Sequence, residues 1–319
     1  MKKIILLPII LGSVLLVTGA TIFAVALYKQ KDNANSFKTN KYENLEAFSN
    51  FDVDLTIADF EIKASSDDTR KVVVDETKYD NHTVEVKDNA LVIKGKDERK
   101  WYERLFAFNW WWQKVKVTVY VPAGDYGEFK FESSTGNVDI PADYTFTNME
   151  AKVSTGNFKN KAKVQENLKI SASTGNITLD GVTAKNVELK ADTGDLVLNN
   201  VAVSEALNTK TSTGSIKLTN VTAKNLTSNS STGGMTLTNV VLEDHLEIKN
   251  STGGVRIIDS DASTVNIKTS TGSVNATFLT PKIVHATSST SKPDYPSSTT
   301  GGLCEIETGT GGIKVRFKS

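Results

Sequence analysis

The chain has 319 residues, and its 37 basic and 37 acidic residues give a formal net charge of zero. This balance argues against nucleic acid as a partner, because domains that bind nucleic acids carry an excess of Lys and Arg on one face. The single cysteine cannot form an internal disulfide, and the three histidines are scattered. We therefore predict neither a metal site nor a cofactor.

The N-terminal segment is expected to anchor the chain in a membrane. An almost uncharged run extends from Ile4 to Tyr28, and a helix of this length spans about 37 Å, enough to cross the hydrocarbon core. A cleaved signal peptide is the alternative, but its apolar region usually covers only about 7–15 residues. We predict a transmembrane signal-anchor over residues 1–28. The flanking lysines favour an extracytoplasmic location for the bulk of a single-pass protein of the cell membrane.

The next two segments differ in composition. Residues 29–44 are polar and lack periodicity, which predicts a flexible tether. Residues 45–125 are predicted to form irregular N-terminal β coils, since the terminal coils of a solenoid must cover an open end. Between Val53 and Ile62 the pattern has a strand, a turn and a second strand, with Asp59 at the position where later coils carry glycine.

An aromatic segment interrupts these coils. All four tryptophans of the chain lie within it, at Trp101, Trp110, Trp111 and Trp112. Three interpretations are open: a hairpin that plugs the end of the solenoid, a contact with the membrane surface, or a stacking surface for sugar rings or peptides. Because exposed aromatic patches of this size usually mark contact surfaces, these tryptophans are candidate binding residues.

A Thr-Gly turn recurs at a fixed step in residues 126–319. Its glycines are Gly136, Gly156, Gly175, Gly194, Gly214, Gly233, Gly253, Gly272 and Gly311. Successive steps are 19 or 20 residues, and the last gap of 39 residues equals two steps. A period of this size predicts a solenoid, in which one supersecondary unit stacks on the next.

Short alternating strands flank each turn. Leu168 and Ile170 precede the turn at Gly175, and Ile177 and Leu179 follow it, so that apolar side chains share one face. Consecutive hairpins in a sandwich are the alternative, but their turns would face opposite ends. Identical turns at one phase instead predict an all-β fold, a parallel β-solenoid of 19–20-residue coils preceded by one transmembrane helix.

The stacked Thr, Ser and Asn residues of the turns are expected to form polar columns along one edge. They could form a hydrogen-bonded ladder that fixes the register of the coils, since these residue types suit tight turns. They could also form a regular hydroxyl surface for glycans, peptides or ordered water. Asp192 begins an Asp-Thr-Gly triplet like that of aspartic proteases, but such enzymes need two carboxylates and the triplet occurs once.

The penultimate coil is interrupted between Ser288 and Gly302 by a segment rich in Ser, Pro and Gly, which predicts an exposed loop. Cys304 follows this segment, seven residues ahead of Gly311, in a column that holds Leu or Val in other coils. We therefore predict a packed thiol at this position rather than a nucleophile.

The order of these features resembles a known family. The chain has, in order, an N-terminal membrane anchor, weak strands, an aromatic hairpin, the alternating strand from Lys114 to Val121 followed by Pro122, and repeats such as 154–157, 173–176 and 212–215. This arrangement resembles the bacterial β-strand-repeat family labelled "putative adhesin", which includes LiaG-like proteins of cell-envelope stress operons in Gram-positive bacteria. The resemblance covers about residues 45–319 and implies a surface-binding role, but it supplies no catalytic or binding residues.

We predict a membrane-anchored, extracytoplasmic β-solenoid that binds or scaffolds at the cell envelope and is not an enzyme. Its expected partners are the membrane, through the anchor, and a cell-wall glycan, a peptide or an envelope protein. The alternative is a carbohydrate-active β-helix lyase or hydrolase acting on cell-wall or extracellular polysaccharide. Arginine is scarce in the repeats, where only Arg256 and Arg316 follow the aromatic segment, which argues against such an active site.

Overall fold

The structure is a computed structural model that describes residues 12, 14–25, 28, 38–77, 79–98 and 115–318. Residues 14–25 are helical, and all other regular elements are strands. In chain order these are β1 (Lys38–Tyr42), β2 (Asn50–Ile57), β3 (Asp59–Ala64), β4 (Lys71–Glu76), β5 (Asp80–Lys87), β6 (Ala90–Asp97), β7 (Lys116–Val121), β8 (Gly124–Thr135), β9 (Val138–Ile140), β10 (Tyr144–Thr155), β11 (Phe158–Asn160), β12 (Lys163–Thr174), β13 (Ile177–Asp180), β14 (Thr183–Thr193), β15 (Leu196–Thr213), β16 (Ile216–Thr232), β17 (Met235–Thr252), β18 (Val255–Ser260), β19 (Thr264–Thr271), β20 (Val274–Phe278), β21 (Lys282–Ser288), β22 (Gly302–Thr310) and β23 (Ile313–Phe317).

Each coil has three faces. The pre-turn face leads into the Thr-Gly turn, the post-turn face follows the turn, and a third face lies beyond a second corner. Strand β15 shows this path, because it runs along the post-turn face, bends at Asn200, crosses the third face and bends again before Ala206 to form the next pre-turn face. Asn200 has a φ of 55°, a backbone conformation that asparagine tolerates better than most residues.

Neighbouring coils pair in parallel with an offset of one repeat. Leu196 pairs with Ile216, and Leu207 pairs with Leu226, so each residue lies beside its equivalent in the next coil. The turns therefore stack along one edge, and the predicted parallel β-solenoid, with one Thr-Gly turn in each regular coil, is confirmed. The predicted alternative of consecutive hairpins is wrong, since every pairing between the regular coils from β8 onwards is parallel.

The core is one apolar column inside the coils. Most inward side chains of the middle coils are aliphatic, and Leu198, Val201 and Leu218 are each at most 1 % exposed. Each such side chain contributes roughly 1.5–3 kcal/mol when it leaves water. The first coils contain aromatic residues instead, and the rings of Phe51 and Phe129 have centroids 5.6 Å apart.

The N-terminal end differs from the prediction of coils stacked in chain order. Strands β6 and β7 pair in parallel with the outer sides of β2 and β3, so they form the outermost coil although β2 and β3 precede them. Three antiparallel strands then extend this end: β5 pairs with β6, β4 with β7, and β1 with β4. Because β1 spans Lys38–Tyr42, the predicted tether over residues 29–44 is wrong for this strand, which is held in the sheet.

The predicted place of Asp59 is wrong by one residue. Ile57 pairs with Thr135 and Phe60 with Val138, which puts Ala58 opposite Gly136 and Asp59 opposite Asn137. The first turn therefore contains alanine in the glycine column. Alanine is possible there because Ala58 does not have the positive φ of the glycines that stack on it.

The C-terminal end also changes the order of the strands. Strand β22 pairs with β19, and β23 pairs with β20, so Gly311 stacks directly on Gly272 despite the long gap between them in the sequence. The predicted two-step gap is therefore not two stacked coils. Strand β21 lies outside β22, and the predicted loop crosses this end, where Asp294 pairs with Lys314. The side chains of Asp294 and Arg316 form an ion pair with an N–O distance of 2.5 Å.

Cys304 lies in β22 between β19 and β21, opposite Val265 and Val284. Its side chain is fully buried, as predicted. Burial raises the pKa of the thiol to about 12, so it remains protonated at neutral pH. This environment favours a packing role, because a thiolate is the reactive form of cysteine.

The described helical residues near the N-terminus are 12, 14–25 and 28. No helix among the described residues has both the length and the apolar character needed to cross a membrane. The signal-anchor over residues 1–28 extends beyond these residues and stays a prediction.

Candidate functional site

The nine Thr-Gly turns form one continuous edge of the solenoid, which we call the turn edge. Their glycines have φ values between 136° and 153°, a region that is almost restricted to glycine. In eight of the nine turns the glycine N–H donates to the carbonyl of the threonine in the next coil, as from Gly194 to Thr213 at 2.8 Å. In the last turn the N–H of Gly311 donates to the hydroxyl of Thr290 at 3.1 Å. The backbone of the turn is thus part of the stacking.

Neighbouring turns are in direct backbone contact. A Cβ atom on Gly214 would lie 2.1 Å from the carbonyl oxygen of Gly194, and the same overlap recurs from coil to coil. Glycine is therefore required for two reasons: the positive φ of the turn, and the lack of room for a Cβ atom between stacked turns. It brings the side chains of the turns into regular columns about 4.8 Å apart.

Two hydroxyl-rich columns are exposed on the turn edge. The residues directly before the glycines are Thr135, Thr155, Thr174, Thr193, Thr213, Thr232, Thr252, Thr271 and Thr310, and those before them are serines in seven of the nine turns. The threonines are all exposed. Within the part of the chain that the structure describes, they make no side-chain hydrogen bond. These hydroxyls are available for a ligand.

A ladder of side-chain hydrogen bonds runs beside the hydroxyl columns. The Oδ1 atom of Asn137 accepts from the backbone N–H of Asn157 at 3.0 Å, Asn157 accepts from Asn176 at 2.9 Å, and Asn176 accepts from Asp195 at 2.8 Å. Asp59 begins this ladder by accepting from the N–H of Asn137 at 2.8 Å. The predicted register-fixing role therefore fits the asparagine column, whereas the hydroxyl columns fit a contact surface.

We expect the variant Asn176→Ala to unfold about 1 kcal/mol more easily, because the N–H group of the next coil loses a side-chain acceptor. Chemical denaturation of the purified chain measures this change. Asn208→Ala is the control, since Asn208 is exposed on the pre-turn face and no side-chain hydrogen bond of it is present in the described structure. An equal loss in both variants would contradict a role for the ladder.

A second polar column lies behind the turns, inside the later coils. Its members are Thr211, Ser230, Asn250, Thr269 and Thr308, each at most 6 % exposed. The hydroxyl of Thr308 donates to the carbonyl of Gly272 at 3.0 Å. The side-chain amide of Asn250 donates to the carbonyl of Gly233 at 3.1 Å. This column was not predicted, although the sequence contains its signal: polar residues at the inward position three residues before the glycine.

The candidate binding residues Trp101, Trp110, Trp111 and Trp112 lie outside the described residues. Both flanks of their segment are described. It connects β6 to β7, and the carbonyl of Val115 accepts from the N–H of Asp59 at 2.9 Å. The described flank at Val115 therefore lies beside the turn at Ala58 and Asp59, which stacks on the turn at Gly136.

Two places bear on the enzymatic alternatives: the triplet that begins at Asp192, and an open groove that the sequence did not predict. Asp192 stands in the serine column, as predicted, and forms an ion pair with Lys190 at 3.1 Å. An open groove of about 630 Å³ crosses the third face and is lined mainly by small side chains, including Ala184, Val203 and Ala223. Glu243 is the one carboxylate in its lining, whereas most glycoside hydrolases use a pair of carboxylates.

Comparison with known proteins gives one family and several solved structures. The sequence model of the Toastrack DUF4097 family matches residues 48–206 and 200–294. A protein from Parabacteroides distasonis described as a putative adhesin is similar at 17% identity and a TM-score of 0.48, covering 87% of this chain and 98% of its own.

Two further structures are similar over comparable lengths. One is described as a putative adhesin from Bacteroides fragilis, with 14% identity, a TM-score of 0.41, and coverage of 89% of this chain and 98% of its own. The other is described as a putative lipid binding protein from Parabacteroides distasonis, with 15% identity, a TM-score of 0.46, and coverage of 89% and 98%. No curated protein matches the chain.

Proposed function

Because the chain belongs to the Toastrack DUF4097 family, we propose that it is a non-enzymatic binding and scaffold protein of the bacterial cell envelope, with the turn edge as its contact surface. The observation that carries this proposal is the unpaired, exposed threonine column, repeated over nine stacked turns. Repetition at a fixed spacing suits a ligand that is itself repetitive, because many weak contacts then act together.

The proposal includes a location. Residues 1–28 act as a membrane anchor, and the solenoid lies on the extracytoplasmic side. The length of the apolar run from Ile4 to Tyr28 and the flanking lysines support this arrangement. A role in the response to envelope stress rests on the family resemblance described above.

The tryptophan segment is proposed as a second contact at one end of the turn edge. Its support is the position of its flanks, since Asp97 and Val115 are both buried at the outermost coil. A connection between two strands does not need tryptophan, and four tryptophan rings together offer a large area on which a ligand can stack. Their partner would be a sugar ring, a peptide or the membrane surface.

Retention on purified bacterial cell walls tests the proposed function. We expect the purified chain to be retained without releasing soluble fragments of the wall. A variant that replaces Ser212, Thr213, Ser231 and Thr232 by alanine should lose most of this retention. Its control replaces Thr178, Thr219, Thr236 and Thr238, four partly exposed threonines of the post-turn face, by alanine.

Two results would overturn the proposal. Equal retention of the two variants would remove the turn edge as the contact surface. Cleavage of wall glycan by the chain would instead favour the carbohydrate-active enzyme, and the groove on the third face would then be the first place to look for its active site.

A further inference from the structure

Charge is distributed unevenly along the turn edge. In each coil the residues near this edge are the ten from six before to three after the turn glycine. In the coils of Gly136 to Gly194 these stretches contain five cations and six carboxylates, whereas in the coils of Gly214 to Gly272 they contain five cations and one carboxylate. The cations of the second group, which we call the basic strip, are Lys210, Lys217, Lys249, Arg256 and Lys268.

The side chains of the basic strip are all exposed. Lys210 and Lys217 belong to one coil and flank its turn, Lys210 on the pre-turn face and Lys217 on the post-turn face. Arg256 stands in the same row as Lys217, two coils further on. Within the part of the chain that the structure describes, these three cations form no ion pair.

The coils outside the basic strip neutralise their cations more fully. Lys152 lies 2.9 Å from a carboxylate oxygen of Glu132, and Lys190 lies 3.1 Å from one of Asp192. Within the strip, Lys249 pairs with Glu247 at 2.6 Å, and Lys268 pairs with a carboxylate of the last coil. The strip therefore has a local excess of positive charge on a protein with no net charge.

We propose that the basic strip binds a linear polymer that carries phosphate groups and lies along the solenoid axis. Lys210 and Lys217 reach such a chain from both sides of the turn, and the hydroxyls of Ser212 and Thr213 stand between them. Lysine, arginine and hydroxyl groups are the usual partners of phosphate oxygens. This inference rests on the proposed function of the turn edge and specifies the class of its ligand.

An extended polymer fits the strip better than a membrane surface does. Membrane-bound surfaces combine cations with exposed aliphatic or aromatic side chains that enter the interface. The large apolar side chains that are exposed in the described solenoid are Val241, Tyr295 and Leu303. All three lie outside the stretches that make up the strip. The cations also follow a corner of the coils rather than a broad face.

Binding of fluorescent inorganic polyphosphate to the full-length chain in neutral detergent tests the proposal. The variant Lys210→Gln/Lys217→Gln removes two cations of the strip. Lys152→Gln/Lys159→Gln is the matched control, because these lysines flank the turn at Gly156 in the same rows and the change in net charge is identical. We expect about tenfold weaker binding for the first variant and a salt dependence reduced by about two phosphate contacts, with less than about a twofold change for the control.

Three results would overturn the proposal: no binding of polyphosphate at low salt, equal losses in both variants, or a loss of binding only to mixed micelles that contain anionic phospholipid. The last result would assign the strip to a membrane. Retention of the same proteins on cell walls separates the two proposals. If the chain is retained on cell walls but does not bind polyphosphate, the proposed function stands and the proposed ligand class is wrong. If the chain is not retained on cell walls, the proposed function is wrong.

Discussion

Replacing Gly214 by alanine is expected to lower the free energy of unfolding by at least about 3 kcal/mol. Two costs combine at this position. The φ of 144° lies in a region that side chains strongly disfavour, and the new Cβ would lie 2.1 Å from the carbonyl oxygen of Gly194. That oxygen belongs to the backbone of a stacked turn, so it cannot move without separating two coils.

Gly181→Asn provides the matched control for this prediction. Gly181 also has a positive φ, of 70°, but a Cβ there would meet no atom within 4 Å. It occupies the second corner, where the next coils carry Asn200 and Asn220 with φ values of 55° and 54°. We expect a change within about 0.5 kcal/mol, because asparagine is already the usual residue at this corner.

Urea denaturation followed by circular dichroism compares the two variants. Repeat proteins can unfold in parts, so the midpoint and the steepness of the transition are both needed. A midpoint for Gly214→Ala equal to that of the wild type would show that the turns can separate easily. The close stacking of the turn edge would then be wrong.

The regular coils could be predicted from the sequence because their information is local and repeated. One glycine every 19 or 20 residues indicates where each coil turns. The alternation of apolar and polar residues along each strand indicates which side chains enter the core. The exposed threonine column follows from the same two facts. Since every coil has the same path, a correct prediction for one coil is correct for its neighbours.

The two ends could not be predicted in the same way, because there the pairing partners are far apart in the sequence. Apolar and polar residues alternate at the start of strand β21 as in the pre-turn strands. Nothing in its own sequence shows that β22 lies between it and β19. At the other end β6 joins the outer side of β2, from which it is separated in the chain by β3, β4 and β5. The one-residue error at Asp59 has the same origin, since its neighbour in the ladder is Asn137.

The candidate site was predictable in part. Hydroxyl columns follow directly from the repeated turn, but the uneven charge along them requires knowing which residues of each coil face the same edge. The inward column that includes Ser230 and Thr269 contradicts the simple rule that inward positions are apolar. The tryptophans stand out by composition alone, yet the place in the fold of the two strands that flank their segment depends on the exchange of strands at the N-terminal end.

The variant Asp261→Asn is expected to destabilise the C-terminal end by about 3 kcal/mol, because it leaves a buried cation without a negatively charged partner. Lys282, the first residue of β21, is 3 % exposed and lies 2.5 Å from an Oδ1 atom of Asp261. The same oxygen accepts from the N–H of Ala262 at 2.9 Å. Asparagine preserves the shape and this hydrogen bond, so the change isolates the loss of charge.

Two further variants give this prediction its controls. Adding Lys282→Met to Asp261→Asn should recover most of the lost stability, since a buried pair can often be replaced by apolar groups of similar volume. Lys318→Met breaks the pair with Asp259, which lies 2.8 Å away at an exposed site. It should cost less than about 1 kcal/mol.

Cys304 reports where the destabilisation occurs. It is the single cysteine of the chain and is covered on one side by β21, the strand that Lys282 begins. Burial raises the pKa of its thiol to about 12, so the native protein should react very slowly with iodoacetamide at pH 8. Opening of the end exposes the thiol and returns its pKa toward the ordinary value, which increases the fraction of reactive thiolate. We expect Asp261→Asn to react at least tenfold faster than the wild type or Lys318→Met, and an unchanged rate would show that the buried pair does not hold β21 in place.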